Sequence, residues 1–161
     1  MTNIEKHRIE YSEYGKLLNE LVIKIKESKI KFDYIYGHPR GGLPIAVHLS
    51  HHLEIPMVDD LDNSGNILIV DDLCDSGETF KGLYNYQDHY NTLYFACLYV
   101  KPRRKQKFEP NFYIREVEDF IWIEFPFEKQ DEQIDKIYMF NDGIQKEDLD
   151  VLENFICDGG M

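Results

Sequence analysis

Two neighbouring carboxylates, Asp71 and Asp72, follow directly on the aliphatic run ILIV (67–70). A short apolar run of that kind reads as a strand buried on both faces. In an open α/β sheet, ligands bind beyond the carboxyl ends of such strands. Two acids at that edge repel each other unless a cation or a set of hydroxyls faces them. A sugar diol can donate hydrogen bonds to them, and a hard cation such as Mg²⁺ can offset their charge. The following residues, Asp75-Ser76-Gly77-Glu78-Thr79, lead into a helical pattern. A glycine-bearing turn ahead of a helix offers backbone N–H groups and the positive end of the dipole, and Ser76 and Thr79 add hydroxyls, which together suit a phosphate. Acceptors for a diol and a cradle for a phosphate thus share one segment, the pattern a ribose 5-phosphate requires.

These groups need a scaffold, and the rest of the chain supplies one. SEYGKLLNELVIKIKESK (12–29) spaces Leu17, Leu18, Leu21, Val22 and Ile25 as one helical face, with Ser12 placed as N-cap. DYIYG (33–37) and IPMV (55–58) read as short strands. GGLPIAVHLSHHL (41–53) reads as a helix with Leu43, Ala46, Val47, Leu49, Ser50 and Leu53 on one face and Pro44 near its start. ETFKGLYNYQDHY (78–90) reads as a helix with Phe80, Leu83 and Tyr84 inward, TLYFACLYV (92–100) as one apolar strand, and 112–127 as mixed strand and loop. A further helix is expected at 146–156. This alternation predicts an α/β fold with a mainly parallel sheet flanked by helices, in a single domain over 1–161.

VDDLCDSGET (70–79) resembles the phosphoribosyl-diphosphate-binding signature of type I phosphoribosyltransferases: an apolar strand, two acids, then a Thr/Ser-Gly-x-Thr loop. YGHPRGGLP (36–44) resembles that family's pyrophosphate-binding loop. The resemblance implies that Arg40 is its cation, that Gly41 and Gly42 allow close backbone approach, and that the Pro39–Arg40 peptide is cis. Lys101-Pro102 after the strand, and WIEFPFE (122–128), resemble the bacterial xanthine-guanine branch. There a lysine binds the purine 6-oxo group. Carried over, Lys101 meets O6, Trp122 and Ile123 flank the ring, and backbone groups near Ile123 and Glu124 read the 2-substituent.

The resemblance spans about residues 6–128 and leaves 129–161 as a divergent extension. It implies transfer of ribose 5-phosphate from phosphoribosyl diphosphate to guanine, xanthine or hypoxanthine, with release of pyrophosphate. Asp71 and Asp72 would hold the ribose hydroxyls and, indirectly, Mg²⁺. Ser76, Gly77, Glu78 and Thr79 would hold the 5-phosphate, Asp75 would manage the N7 proton, and Arg40 would stabilise the leaving group. A homo-oligomer, dimer or tetramer, is expected. Glu78 adds an acid beside the cradle, a repulsion unless it points to solvent. One departure stands out. The family carries a long lid before the diphosphate strand, whereas DDLDNSGN (59–66) suits a tight hairpin or short turn. The alternative it raises is a non-catalytic nucleotide or phosphoribosyl-diphosphate sensor.

Bulk properties fit a small-molecule site. With 18 basic and 30 acidic residues the net charge is −12, which argues against nucleic acid or an anionic membrane as partner. No apolar run reaches the roughly 20 residues of a membrane span, and the N-terminus lacks the apolar core of a signal peptide, so a cytoplasmic location is expected. Cys74, Cys97 and Cys157 form no metal or disulfide pattern and read as reduced thiols. His48, His51 and His52 lack acidic co-ligands and read as ordinary helix residues. The basic run KPRRKQK (101–107) reads as a solvated loop.

Overall fold

The computed structural model describes residues 4–102 and 107–128. The chain divides into a unit ending at Pro126 and a second beginning at Phe127, and every element named here belongs to the first. The expected helix at 146–156 lies outside the described residues. In chain order the elements are β1 (Glu5–Arg8), α1 (Tyr11–Glu27), β2 (Tyr34–Gly37), α2 (Gly42–Leu53), β3 (Met57–Val58), β4 (Gly65–Val70), β5 (Leu73–Cys74), α3 (Glu78–Tyr84), β6 (Asn91–Ala96), β7 (Tyr99–Val100), β8 (Arg115–Glu116) and β9 (Ile121–Glu124).

The main sheet has the order β3-β2-β4-β6 and is parallel throughout. Ile67, Leu68, Ile69 and Val70 of β4 are fully buried, as a central parallel strand requires. On one face Ile67 and Ile69 pack with Leu61, Phe80, Leu93 and Phe95. Helix α2 packs on β2 and against α1. It buries Ile45, Ala46 and Leu49, whereas Leu43 and Val47 of the expected face point outward. Pro44 sits in the first turn, where a missing N–H costs no helical bond. Helix α1 buries its predicted face together with Tyr14; Glu10 precedes it in extended conformation, and Ser12 lies inside the helix rather than capping it.

Three departures from the sequence reading matter for the site. First, β3 and β4 are parallel and flank β2, so residues 59–64 form no hairpin. They cross over β2 in six residues, far shorter than the usual dozen or more. Leu61 drops into the core in place of a crossover helix, and its carbonyl accepts Asn91 Nδ2 at 3.2 Å. Second, 92–100 is not one strand. The Leu98 and Tyr99 N–H groups both donate to the Asp72 carbonyl, at 3.1 and 3.2 Å, and this draws the chain away from the main sheet. It continues as β7 in a small parallel sheet, β5-β7-β8. Third, α3 stops at Tyr84, and the Asp88 carboxylate then accepts the Tyr90 and Asn91 N–H groups to form a turn into β6. Strand β1, polar and exposed along its length, pairs in parallel with β9. Among the described residues, no helix is long and apolar enough to cross a membrane.

Candidate active site

The site forms where β4 ends. The Asp71 N–H donates to Ala96 O at 3.0 Å, which extends the β4–β6 pairing one residue past the strand and fixes Asp71 at the rim. Asp71 Oδ1 accepts the Asp72 N–H at 2.9 Å, and Asp72 Oδ1 accepts the Leu73 N–H at 2.7 Å. Each acid therefore uses one oxygen to close the turn on its own backbone and keeps a second oxygen for other partners.

Both acids are half-buried. Burial, and then the charge of Asp72, push the Asp71 carboxyl up to about 8. Burial raises Asp72 as well, opposed by hydrogen bonds from the Leu73 N–H and the Asp71 carboxyl and by the charge of His38. Burial, and next the charge of Asp72, also raise the Tyr14 hydroxyl. A buried pair of this kind favours holding one proton until a cation or a set of hydroxyl donors enters.

Asp71, Leu73, Cys74 and the run from Asp75 to Phe80 line one pocket of about 80 Å³. The sequence-predicted phosphate loop is thus assembled with Asp71. Helix α3 has only seven residues, so the turn's own amides and hydroxyls matter more than a helix dipole. Gly77 adopts φ 78°, and a Cβ there would stand 2.7 Å from Phe108 O. The turn is therefore roofed by chain from thirty residues downstream. The Lys107 N–H donates to Ser76 O at 2.7 Å and its ammonium pairs with Glu78. Glu78 is neutralised in this way rather than left to repel an anion. Lys107 and Phe108 escaped the sequence reading because the basic run read as a solvated loop.

The second loop, 38–42, is tied to the same strand end. The His38 N–H donates to Val70 O at 2.8 Å, and the Gly42 N–H to His38 O at 2.9 Å. The Pro39–Arg40 bond is cis, as the resemblance implied. Arg40 is exposed, and its guanidinium has no hydrogen bond or ion pair with a described residue. Gly41 lies flat against the Asp72 carboxylate, since a Cβ built there would fall 2.0 Å from Asp72 Oδ2.

The expected base-binding residues are placed less simply. Lys101 is buried, and its ammonium donates to the carbonyls of Glu118 (2.9 Å), Asp119 (3.3 Å) and Ile121. It holds the turn before β9, and a purine O6 would have to replace one of those carbonyls. Trp122 is 57% exposed and Ile123 is buried. Neighbours on a strand point to opposite faces, so these two side chains lie on opposite faces of β9. The Glu124 carboxylate is held by Lys6 at 3.4 Å and Arg8 at 3.3 Å.

Cys74 lies beside the 75–79 turn, where burial, then the charges of Asp71 and Asp75, push its thiol up to about 12; that is no nucleophile. Cys74 and Cys97 are both buried, and Cys157 lies outside the described residues. The His48 and His52 rings stack at 4.0 Å, with His52 Nδ1–H donating to His48 O at 2.9 Å.

No family model matches the chain. A xanthine-guanine phosphoribosyltransferase of Roseobacter denitrificans is 31% identical over 109 residues, which are 68% of this chain and 57% of that one. One from Cereibacter sphaeroides is 30% identical, over 58% of this chain and 68% of its own. The chain thus spans between about half and two thirds of these relatives' lengths. Among solved structures, a purine phosphoribosyltransferase from Pyrococcus horikoshii superposes with a TM-score of 0.64 at 28% identity, covering 78% of this chain and 95% of that one.

Proposed function

Because the chain belongs to the type I phosphoribosyltransferase family, we propose that it transfers ribose 5-phosphate from phosphoribosyl diphosphate to a 6-oxopurine, with guanine, xanthine or hypoxanthine as acceptor, releasing pyrophosphate. One observation carries this reading. A single strand end carries both a carboxylate-and-hydroxyl pocket, Asp71 with 75–79, and, through the contact of Gly41 with Asp72, a loop bearing an exposed cation, Arg40.

In this reading Asp71 accepts hydrogen bonds from the ribose hydroxyls. Ser76, Thr79 and the amides of the turn hold the 5-phosphate, so that binding energy remote from C1′ positions it. Arg40 stabilises the departing pyrophosphate. Asp75, which lines the same pocket, takes the N7 proton. Lys101 donates to O6 in exchange for one of its carbonyls, which favours a 6-oxo acceptor over the amino group of adenine. Two hard carboxylates, with no group of three or more side chains placed to hold a metal among the described residues, fit Mg²⁺ bound largely through water and substrate oxygens, with Asp71 and Asp72 as its indirect holders. Bound there, Mg²⁺ would supply positive charge to the diphosphate.

The test is turnover of phosphoribosyl diphosphate with Mg²⁺ and each base in turn, beside calorimetric titration with guanosine monophosphate. Nucleotide is expected from at least one 6-oxopurine and none from adenine. Tight nucleotide binding without product from any base would replace the transferase with a sensor.

A further inference from the structure

Glu78 is an acid set inside the turn that would hold a phosphate. Left unpaired, it would repel a phosphate dianion there. Residues 107–108 answer it. The Lys107 N–H donates to Ser76 O at 2.7 Å, and the Lys107 ammonium pairs with the Glu78 carboxylate. That bond, and then the charge of Lys107, hold the Glu78 carboxyl below its ordinary value. Phe108 follows directly. Its N and O stand 2.8 and 2.7 Å from the point where a Cβ of Gly77 would be. Its ring packs on Phe80 and Phe95, with centroids 6.4 and 4.7 Å away. Residues 76, 77 and 78 are thus held in turn by a backbone bond, by close packing and by an ion pair, all from 107–108. Neither Lys107 nor Phe108 lines the pocket itself, so this clasp acts on the turn rather than on a ligand.

We propose that Lys107 is a positioning residue of the phosphate turn: its backbone fastens Ser76, and its side chain cancels the charge of Glu78 so that the turn accepts a phosphate dianion. The acid at 78 and the last cation of the basic run 101–107 then account for each other. With Glu78 unpaired, an incoming dianion meets a full negative charge on the turn; with Lys107 in place it meets a neutral pair. Both side chains are more than half exposed. The effect is therefore one of charge in a watery setting, and it shrinks as salt screens it. A role confined to packing would carry no such salt dependence.

That a phosphate enters this turn rests on the proposed transferase reading. The full chain is titrated with guanosine monophosphate and with guanosine, which differ only in the phosphate, at low salt and at about 0.5 M salt. Lys107→Met should weaken the monophosphate about fivefold at low salt and about twofold or less at high salt, with guanosine unchanged. Lys107→Arg keeps the charge and should stay within about twofold of wild type. In Glu78→Gln/Lys107→Met neither charge remains, and affinity for the monophosphate should return to within about twofold of wild type. Three results would overturn the proposal: guanosine weakened as much as the monophosphate, a loss in Lys107→Met that salt leaves unchanged, or a double variant as weak as Lys107→Met alone. Each can occur in a protein that still turns over, so the transferase reading survives them. Conversely, a wild-type protein that prefers the monophosphate yet yields no nucleotide loses the transferase reading, and the same series still decides the role of Lys107. A wild-type protein with no preference for the monophosphate has no phosphate at the turn, and both fall.

Discussion

DDLDNSG (59–65) and DDLCDSG (71–77) are nearly the same seven residues. Both open on paired acids, carry a leucine third and end on a glycine of positive φ, 105° at Gly65 and 78° at Gly77. Their fates diverge. The first lies ahead of β4 and must cross a sheet face, so Leu61 sinks into the core while Asp59 and Asp60 stay in solvent. The second lies just past β4, so its acids gather at the carboxyl rim, half-buried, and its leucine stays half-exposed. Composition is shared; position relative to the strand end decides which copy can bind a ligand.

The largest expected effect tests that division in the reaction. Asp71→Asn should lower turnover about a hundred- to a thousandfold, the scale for losing one group that stabilises charge at a reacting centre. Asp59→Asn, the matching position in the other copy, should stay within about twofold. Comparable losses at both positions would mean that the crossover reaches the substrate after all, as a lid would.

Stability should invert the ranking. Leu61→Ala removes a core side chain that packs with Ile67, Ile69 and Phe80, and should cost about 2–3 kcal/mol in urea unfolding. Leu73→Ala, half-exposed, should cost under half of that. If Leu61→Ala proves mild, residues 59–64 are not pinned and remain available to move over the site.

The comparison also shows what could be read from the chain. The signature at 70–79 and the loop at 36–44 were legible because their chemistry is local: strand, acids, turn, hydroxyls in sequence. Helix α1 was legible from its apolar period, while its start was not, since Glu10 ends the extended chain without any capping bond. What escaped depended on distant partners. EKHR (5–8) carries no strand signal and becomes one only by pairing with β9. TLYFACLYV looks continuous and breaks because the Asp72 carbonyl claims two of its N–H groups. Lys107 reads as one more cation in a basic run until the fold sets it on Glu78.

Acidity distinguishes the copies by a smaller margin. The folded Asp71 carboxyl is raised, so it binds a proton more tightly folded than unfolded. Stability from that proton is complete below the ordinary carboxylate value and is lost as pH rises towards about 8. Burial, and then the charges of His52 and His51, lower His48, which gives the opposite slope, but only as pH falls through its ordinary value of 6.5. Between pH 6.5 and 8 the ligand-free protein should therefore gain stability on acidification, by at most about 1.4 kcal/mol per pH unit. Asp71→Asn should flatten that slope and Asp59→Asn should leave it. A flat wild-type profile would mean that the rim acids are solvated.

The smallest effect concerns the second acid of each copy. Asp60 Oδ1 accepts the Asp62 N–H at 3.0 Å and Asn63 Nδ2 at 3.1 Å, an exposed turn that water can replace. Asp72 closes its own turn through the Leu73 N–H but also lies close against Gly41. Asp60→Ala should therefore cost about 0.5–1 kcal/mol, the net worth of an ordinary hydrogen bond. It should leave ligand titrations unchanged. Were it to weaken ligand binding, the two copies would share a task, and the strand end would no longer be what separates them.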